Sequence, residues 1–142
     1  MSNKTSKNFL ALVIQARTGS ARLPRKVTSG LNGTRLIERI LQRVKRVKKI
    51  KKIIIATTKK KEDNILAKIA KSNKVEVFRG SENDLVDRYY QAVKDKNIRN
   101  VLRLPADNPI PDPREYSRLI NYHLKTNNDF SSNITNFKNN GY

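Results

Sequence analysis

Apolar residues along this chain fall into two alternating rhythms. Leu10, Ala11, Leu12, Val13 and Ile14 form an unbroken run that turns polar at Gln15. Such a run reads as a strand buried on both faces, and residues 9–16 are predicted as the first strand. Residues 17–30 follow as a loop around Gly19-Ser20, and Gly30 and Gly33 flank a turn. From near Thr34, Leu36, Ile37, Ile40, Leu41, Val44 and Val47 recur at helical spacing and predict one apolar face. The opposite face, Arg35, Arg39, Arg43, Lys45, Arg46, Lys48 and Lys49, reads as solvated. Ile53, Ile54, Ile55 and Ala56 predict a second strand, closed by Thr57 and Thr58. After the charged turn at 59–61, Glu62 and Asp63 open a second helix, where the helix dipole favours acids, with Ile65, Leu66, Ile69 and Ala70 as its core side. Val75, Val77 and Phe78 predict a third strand ending at Arg79-Gly80, and Ser81 or Asn83 caps a third helix with Asp84 to Tyr90 in its first turns. Val101, Leu102 and Leu104 predict a fourth strand running into Pro105-Ala106-Asp107-Asn108-Pro109. Asp112-Pro113 reads as an N-cap with proline at the first helical position, the helix continuing through Tyr116, Leu119 and Ile120 toward Leu124. In the Asn-rich end one more strand is predicted around Phe130 to Ile134.

Strands alternating with helices over short connections predict an open, mostly parallel α/β sheet flanked by helices. A length of 142 residues suits one domain. Residues 1–8 are polar and are expected to form a flexible N-terminus, with the domain spanning 9–142. In such sheets ligands bind past the carboxyl ends of the strands, which directs attention to three junctions: after Gln15, after Thr58 and after Pro105.

Composition narrows the chemistry. The chain has no cysteine and a single histidine, His123, so disulfides, thiolate metal sites and histidine clusters are excluded. A reducing cytoplasmic location fits this. No apolar stretch approaches the roughly 18 residues of a membrane span, and no membrane association is expected. The net charge of +19 is lopsided: residues 1–61 hold 18 Lys and Arg against the one acid Glu38, whereas residues 62–142 hold 13 against 11. That asymmetry is a hint of nucleic-acid binding. Phe9 is the only aromatic residue before Phe78, however, and a single-strand stacking platform needs more, which weighs against a nucleic-acid partner.

Arg17, Arg22, Arg25 and Lys26 surround the Gly19-Ser20 turn. Four cations beside a glycine suit a polyphosphate, Arg as a planar fork and Lys as a point charge. The spacing is neither that of a Walker loop nor that of a dinucleotide fingerprint; a solvated basic loop is the plainer alternative. Asp107, between prolines at a sheet edge, suits Mg²⁺, which takes one or two carboxylates together with phosphate oxygens; the alternative is an aspartate capping its own turn. Ala56, Thr57 and Thr58 either present backbone groups and hydroxyls to a base edge or simply close a β-branched strand. Asp84 and Arg88 stand four apart and pair on a helix surface in the plainest reading.

The string Q15-A16-R17-x-G19-S20-x-R22-L23-P24-x-K26 resembles the N-terminal signature of the cytidylyltransferases that activate acidic sugars, the acylneuraminate and 3-deoxy-manno-octulosonate enzymes, and most of all their spore-coat polysaccharide branch. Arg79-Gly80-Ser81 with Asp84, Asp87, Arg88 and Tyr89 is similar to a second element of that family, R-G-S-x-x-D-x-x-D-R-Y. The resemblance implies a Rossmann-like fold of the nucleotide-diphospho-sugar transferase type and transfer of CMP from CTP to an acidic sugar, with Mg²⁺ and release of pyrophosphate. It implies that Gln15, Ala16, Arg17, Gly19, Ser20, Arg22 and Lys26 wrap the nucleotide, with Lys26 stabilising developing charge and Arg25, where the family often has glycine, peripheral. It implies that Asp107 holds the metal, although A106-D107-N108-P109 has alanine in place of the family's glycine and Pro105 replaces a commonly polar residue. Ala56, Thr57 and Thr58 would select cytosine, and Arg79, Asp87, Arg88 and Arg103 are acceptor-side candidates.

Family members run longer, and an N-G-x-D-x-E-like element supplying a second metal acid and then a dimerisation portion are expected beyond N139-N140-G141-Y142. A domain incomplete at its C-terminus would expose an edge that favours a homodimer. The competing function is a nucleotide- or RNA-binding basic module without turnover.

Overall fold

The computed structural model describes residues 10–19 and 24–133. In chain order they form β1 (Leu10–Gln15), a 3₁₀ turn (Lys26–Thr28), β2 (Gly30–Leu31), β3 (Thr34–Arg35), α1 (Leu36–Val44), β4 (Lys52–Thr58), a second 3₁₀ turn (Lys61–Asp63), α2 (Asn64–Ser72), β5 (Glu76–Gly80), α3 (Leu85–Val93), β6 (Asn100–Pro105) and α4 (Pro113–Thr126). Four parallel strands make the main sheet in the order β5-β4-β1-β6. It is the expected open parallel α/β sheet.

Burial on both faces explains why β1 reads as a continuous apolar run. Leu12 and Ile14 enter one core with Ile37, Ile40 and Leu41 of α1, Leu66 and Ile69 of α2 and Ile120 of α4. Ala11 and Val13 enter the other with Ile54, Ala56, and Ala92 and Val93 of α3. Handedness dictates this division. The chain steps outward from β1 to β4 to β5, then returns past both to β6, so right-handed crossovers place α1 and α2 on one face and α3 on the other. Each fully buried Ile or Leu contributes about 1.5–3 kcal/mol relative to exposure.

The reversal of direction makes the gap between β1 and β6 a topological switch point, where open α/β sheets bind ligands. Two backbone bonds set the geometry there. Ala16 donates from its N–H to the Ala56 carbonyl at 3.1 Å, and Ala106 donates to the Gln15 carbonyl at 3.1 Å. The loops after β1, β4 and β6 therefore leave the sheet at one level.

Several boundaries differ from the expected ones, each for a local reason. The first helix begins at Leu36 rather than near Thr34, because Thr34–Arg35 pairs with Gly30–Leu31 in a small antiparallel hairpin. Asn32 (φ 48°) and Gly33 (φ 75°) supply the left-handed turn that closes it. That helix stops at Val44, and Val47 is buried from the following turn. Asp63 belongs to the 3₁₀ turn before α2 and points inward. Neither Ser81 nor Asn83 caps α3: the Asp84 carboxylate accepts from the Asp87 N–H at 2.8 Å, and Ser81 Oγ accepts from the Asp84 N–H one step earlier. Asp112 caps α4 by accepting from the Arg114 N–H, with Pro113 as the first helical residue. Residues 130–133 form no strand; Ile134, and the expected flexible segment 1–8, lie outside the described residues.

Candidate functional site

The carboxyl edge is organised by a residue whose role the sequence pattern misassigns. Asp63 is 1 % exposed. Its Oδ1 accepts both the N–H and the hydroxyl of Thr18 at 2.8 Å each, and its Oδ2 accepts the Thr58 hydroxyl. Burial alone would push the Asp63 carboxyl up; the bonds from Thr58 and Thr18 outweigh it and hold the group below its ordinary range. This one carboxylate ties the loop after β1 to the end of β4. The signal for it was an acid just past a strand in the most basic part of the chain, which was read as helix-dipole compensation alone.

Above that tether the anion loop presents its cations. Arg17 is half exposed, beside a buried Ala16 and Thr18. Gly19 lies against Glu62: a Cβ added there would come within 2.8 Å of Glu62 Oε1. Ser20 and Arg22 lie outside the described residues. The loop is closed by the Arg25 N–H donating to the Thr18 carbonyl at 2.9 Å. Arg25 holds φ 57°, in the left-handed region. Lys26 opens the 3₁₀ turn, which is anchored by the buried Val27, and its ammonium has no partner among the described residues. A cleft of about 540 Å³ opens beside the loop, lined by Thr18, Arg25, Thr28, Ser29, Arg35 and Glu62.

Across the switch point, Asp107 is exposed and makes no hydrogen bond among the described residues. The turn is capped by its neighbour instead: Asn108 Oδ1 accepts from the Ile110 N–H at 3.0 Å. No group of three or more acidic, histidine or cysteine side chains gathers to hold a metal among the described residues. A lone free carboxylate fits a magnesium ion that takes its other ligands from phosphate and water, not one caged by protein.

Several other expected site residues make structural contacts. Ala56, Thr57 and Thr58 are at most 1 % exposed. The Ala56 carbonyl accepts from Ala16, the Thr58 carbonyl accepts from Arg79 and the Thr58 hydroxyl donates to Asp63, whereas the buried Thr57 hydroxyl has no partner among the described residues. Arg79 braces the ends of β4 and β5: Nε donates to the Thr58 carbonyl at 2.8 Å, Nη1 to Asn64 Oδ1 at 2.6 Å and Nη2 to the Lys60 carbonyl at 2.6 Å. Asp87 accepts from Gln91 Nε2 on its own helix. Arg88 does not pair with Asp84 on the surface; it is 2 % exposed, and Nε and Nη1 have no partner among the described residues. Burial, then the neighbouring Arg17 charge, push its guanidinium below the ordinary range. Arg103 is exposed in the middle of β6, beside Tyr89 of α3, whose phenol is pushed up by burial and drawn back by that charge.

Two residues not singled out from the sequence complete the edge. Glu82, after β5, places Oε1 2.7 Å from Lys60 Nζ and 3.9 Å from Arg17 Nη1. Lys60 follows β4, so one carboxylate oxygen links three loops. Its hydrogen bond to Glu82 raises the Lys60 ammonium above its ordinary value.

Comparison with known proteins gives the family. The chain is 43 % identical to an uncharacterized protein of Methanocaldococcus jannaschii over 84 % of its own length and 49 % of that protein. It is 34 % identical to the spore coat polysaccharide biosynthesis protein SpsF of Bacillus subtilis, covering 87 % of this chain and 53 % of that one. A solved cytidylyltransferase from Leptospira borgpetersenii superposes with a TM-score of 0.78 at 37 % identity, over 82 % of this chain and 49 % of the other. The chain thus spans about half the length of the curated relatives it matches. The family described as cytidylyltransferase matches residues 11–140, nearly the whole sequence, and the chain belongs to that family.

Proposed function

We propose that this chain carries the CTP-binding part of a cytidylyltransferase that moves CMP from CTP to a sugar, an acidic one by the resemblance of its signature. One observation supports this above the others. The loop bearing Arg17 and Lys26 and the loop bearing Asp107 flank one switch point, joined through the Ala106–Gln15 backbone bond. Nucleotidyl transfer consists largely of positioning and charge neutralisation. An acceptor oxygen bonds to the α-phosphorus, the bridge to the β-phosphate breaks, and the electron pair leaves with pyrophosphate. Arg17 and Lys26 would hold the phosphates, and Asp107 would hold Mg²⁺, which supplies further neutralisation of the phosphate oxygens. Arg79 and Asp63 keep the loops in place. The name of the Bacillus relative supports a product used in surface-polysaccharide synthesis, and a CTP-consuming reaction suits the cytoplasm. No helix of the described residues is long and apolar enough to cross a membrane.

A thermal-shift panel tests the reading: CTP, UTP, ATP and GTP, with and without Mg²⁺, on wild type, Lys26→Ala and Asp107→Asn. Ligand at 100 times its Kd adds about 2.7 kcal/mol, which is on the order of 5–15 °C for a domain of this size. The expected result is a Mg²⁺-dependent CTP shift, reduced in both variants, followed by pyrophosphate release on acidic sugars. Equal binding of every polyanion, falling steeply with salt and indifferent to Asp107, would instead support the basic nucleic-acid module.

A further inference from the structure

The carboxyl edge already contains an anion where a phosphate is expected. Glu82 reaches back from the loop after β5 and sets a single oxygen against Lys60 and Arg17, from two other loops. Behind them the Arg88 guanidinium is buried, with two nitrogens unpartnered among the described residues and its Nη2 only 3.4 Å from the Glu82 carbonyl. Arg17 and Lys60 thus share one Glu82 oxygen in front of a third cation, Arg88, while Asp63 is committed to Thr18 and Thr58 and Glu62 lies against Gly19. Like charges gathered beside a buried guanidinium are costly unless an anion offsets them.

The Glu82 contacts are also easy to exchange. The side chains of Arg17, Lys60 and Glu82 are 47 %, 51 % and 36 % exposed. Exposed ion pairs of this kind contribute little, whereas a polyphosphate brings several charges and many acceptor oxygens to the same cations.

We propose that the Glu82 carboxylate is a resident stand-in for ligand phosphate, and that Lys60 is a phosphate-binding cation of the same site. It rests on the reading of this edge as a nucleoside triphosphate site. Unliganded, Glu82 gathers Arg17 and Lys60 and keeps the three loops together. Phosphate oxygens then replace it, and the released carboxylate turns to solvent. Glu82 therefore lowers affinity while it preserves the arrangement of the site.

Calorimetric titration with inorganic tripolyphosphate, free of metal and at about 0.15 M salt, tests this on wild type, Glu82→Gln, Lys60→Ala and the double variant. Glu115→Gln serves as control, since it removes the same charge on α4, where among the described residues the carboxylate pairs with Arg118 alone. Glu82→Gln is expected to bind about twofold to fivefold tighter, the range that an exposed pair of this strength allows. Lys60→Ala is expected to bind several-fold weaker, and in its background the gain from Glu82→Gln shrinks. A gain no larger than that of Glu115→Gln, or one unchanged by Lys60→Ala, overturns the proposal. CTP titrated in parallel separates the two readings. Glu82-dependent tripolyphosphate binding without CTP binding would leave this inference standing and remove the nucleotide reading. Binding of neither ligand removes both.

Discussion

Replacing Asp63 by alanine should unfasten the anion loop and cost much of the domain's stability. The carboxylate accepts three hydrogen bonds at 1 % exposure: the Thr18 N–H, the Thr18 hydroxyl and the Thr58 hydroxyl. Bonds to a charged acceptor contribute about 1.5–3 kcal/mol each, and an orphaned buried donor costs about 1–3 kcal/mol. The three are not additive, since both hydroxyls can rotate toward other acceptors and water can enter the small gap. A loss of about 3–5 kcal/mol is expected, comparable to removing one partner of a buried charged contact. Against a typical total of about 5–15 kcal/mol, and at about 3 °C per kcal/mol for this length, Tm should fall by about 10–15 °C. Asp63→Asn should cost less, because Oδ1 still serves Thr18 while Nδ2 faces the Thr58 hydroxyl. The pH dependence carries a defined sign. The folded carboxyl titrates below its unfolded value, so its contribution is fully present above the unfolded value of about 3.9. It is lost as pH falls through the lower folded value. The wild-type advantage over Asp63→Asn should therefore stay constant from neutral pH to about pH 5 and shrink only below about pH 4. Circular-dichroism melts across that range measure both quantities. An Asp63→Ala protein melting within about 2 °C of wild type at pH 7, or an advantage that grows on acidification, would refute the tether.

Three further substitutions probe separate contacts. Arg79→Ala removes three hydrogen bonds at the ends of β4 and β5 and should cost about 1–3 kcal/mol in denaturant melts, with Arg79→Lys failing to restore it because an ammonium cannot fork to three acceptors. Arg25 holds a left-handed φ of 57° with its side chain exposed, so Arg25→Gly should leave Tm unchanged or raise it by a few degrees, the relief of about 1 kcal/mol of backbone strain being set against glycine's entropy; a clear fall in Tm would show that the guanidinium has a structural partner. Asp107→Asn should leave the unliganded melting curve within about 0.5 kcal/mol of wild type, as for an exposed side chain without partners, while abolishing any Mg²⁺-dependent part of CTP binding in calorimetry.

The sheet was legible because burial on both faces leaves a compositional mark. Leu10 to Ile14 and Ile53 to Ala56 allow almost no other reading, and the helices between them carry clean apolar faces. The Asn32-Gly33 hairpin was equally explicit in its turn residues, yet its two-residue strands are too short to show alternation. The candidate site divides along a different line. Arg17, Lys26 and Asp107 were visible through the resemblance of their motifs, and all three side chains are free of hydrogen bonds among the described residues. Asp63, Glu82 and Lys60 were not visible, because their roles arise from the spatial convergence of the loops after β1, β4 and β5, with Thr18 and Asp63 45 residues apart. A carboxylate near a helix start is usually a dipole partner, and only its inward orientation shows otherwise. The structural contacts of Thr58 and Arg79 were hidden for the converse reason: polar residues at a strand's end look available until their partners are counted.

The partition of partnered and free groups at this edge has a functional logic of its own. A phosphate site needs donors held still before the ligand arrives, since ordering them on binding would subtract from affinity. Here rigidity comes from beneath. Asp63 fastens the β1 loop by its backbone N–H and by a neutral hydroxyl, and Arg79 fastens the β4 loop through two carbonyls and an amide oxygen. Neither brace draws on the side chains of Arg17, Lys26 or Lys60, the groups able to meet an anion. The partner that two of these cations do have, Glu82, is exposed and replaceable. Strong contacts are thus reserved for the scaffold and weak ones for the face. Stability and ligand affinity should therefore respond to different residues: Asp63→Ala and Arg79→Ala lower both, whereas Lys26→Ala, Lys60→Ala and Glu82→Gln change affinity with little effect on the melting temperature.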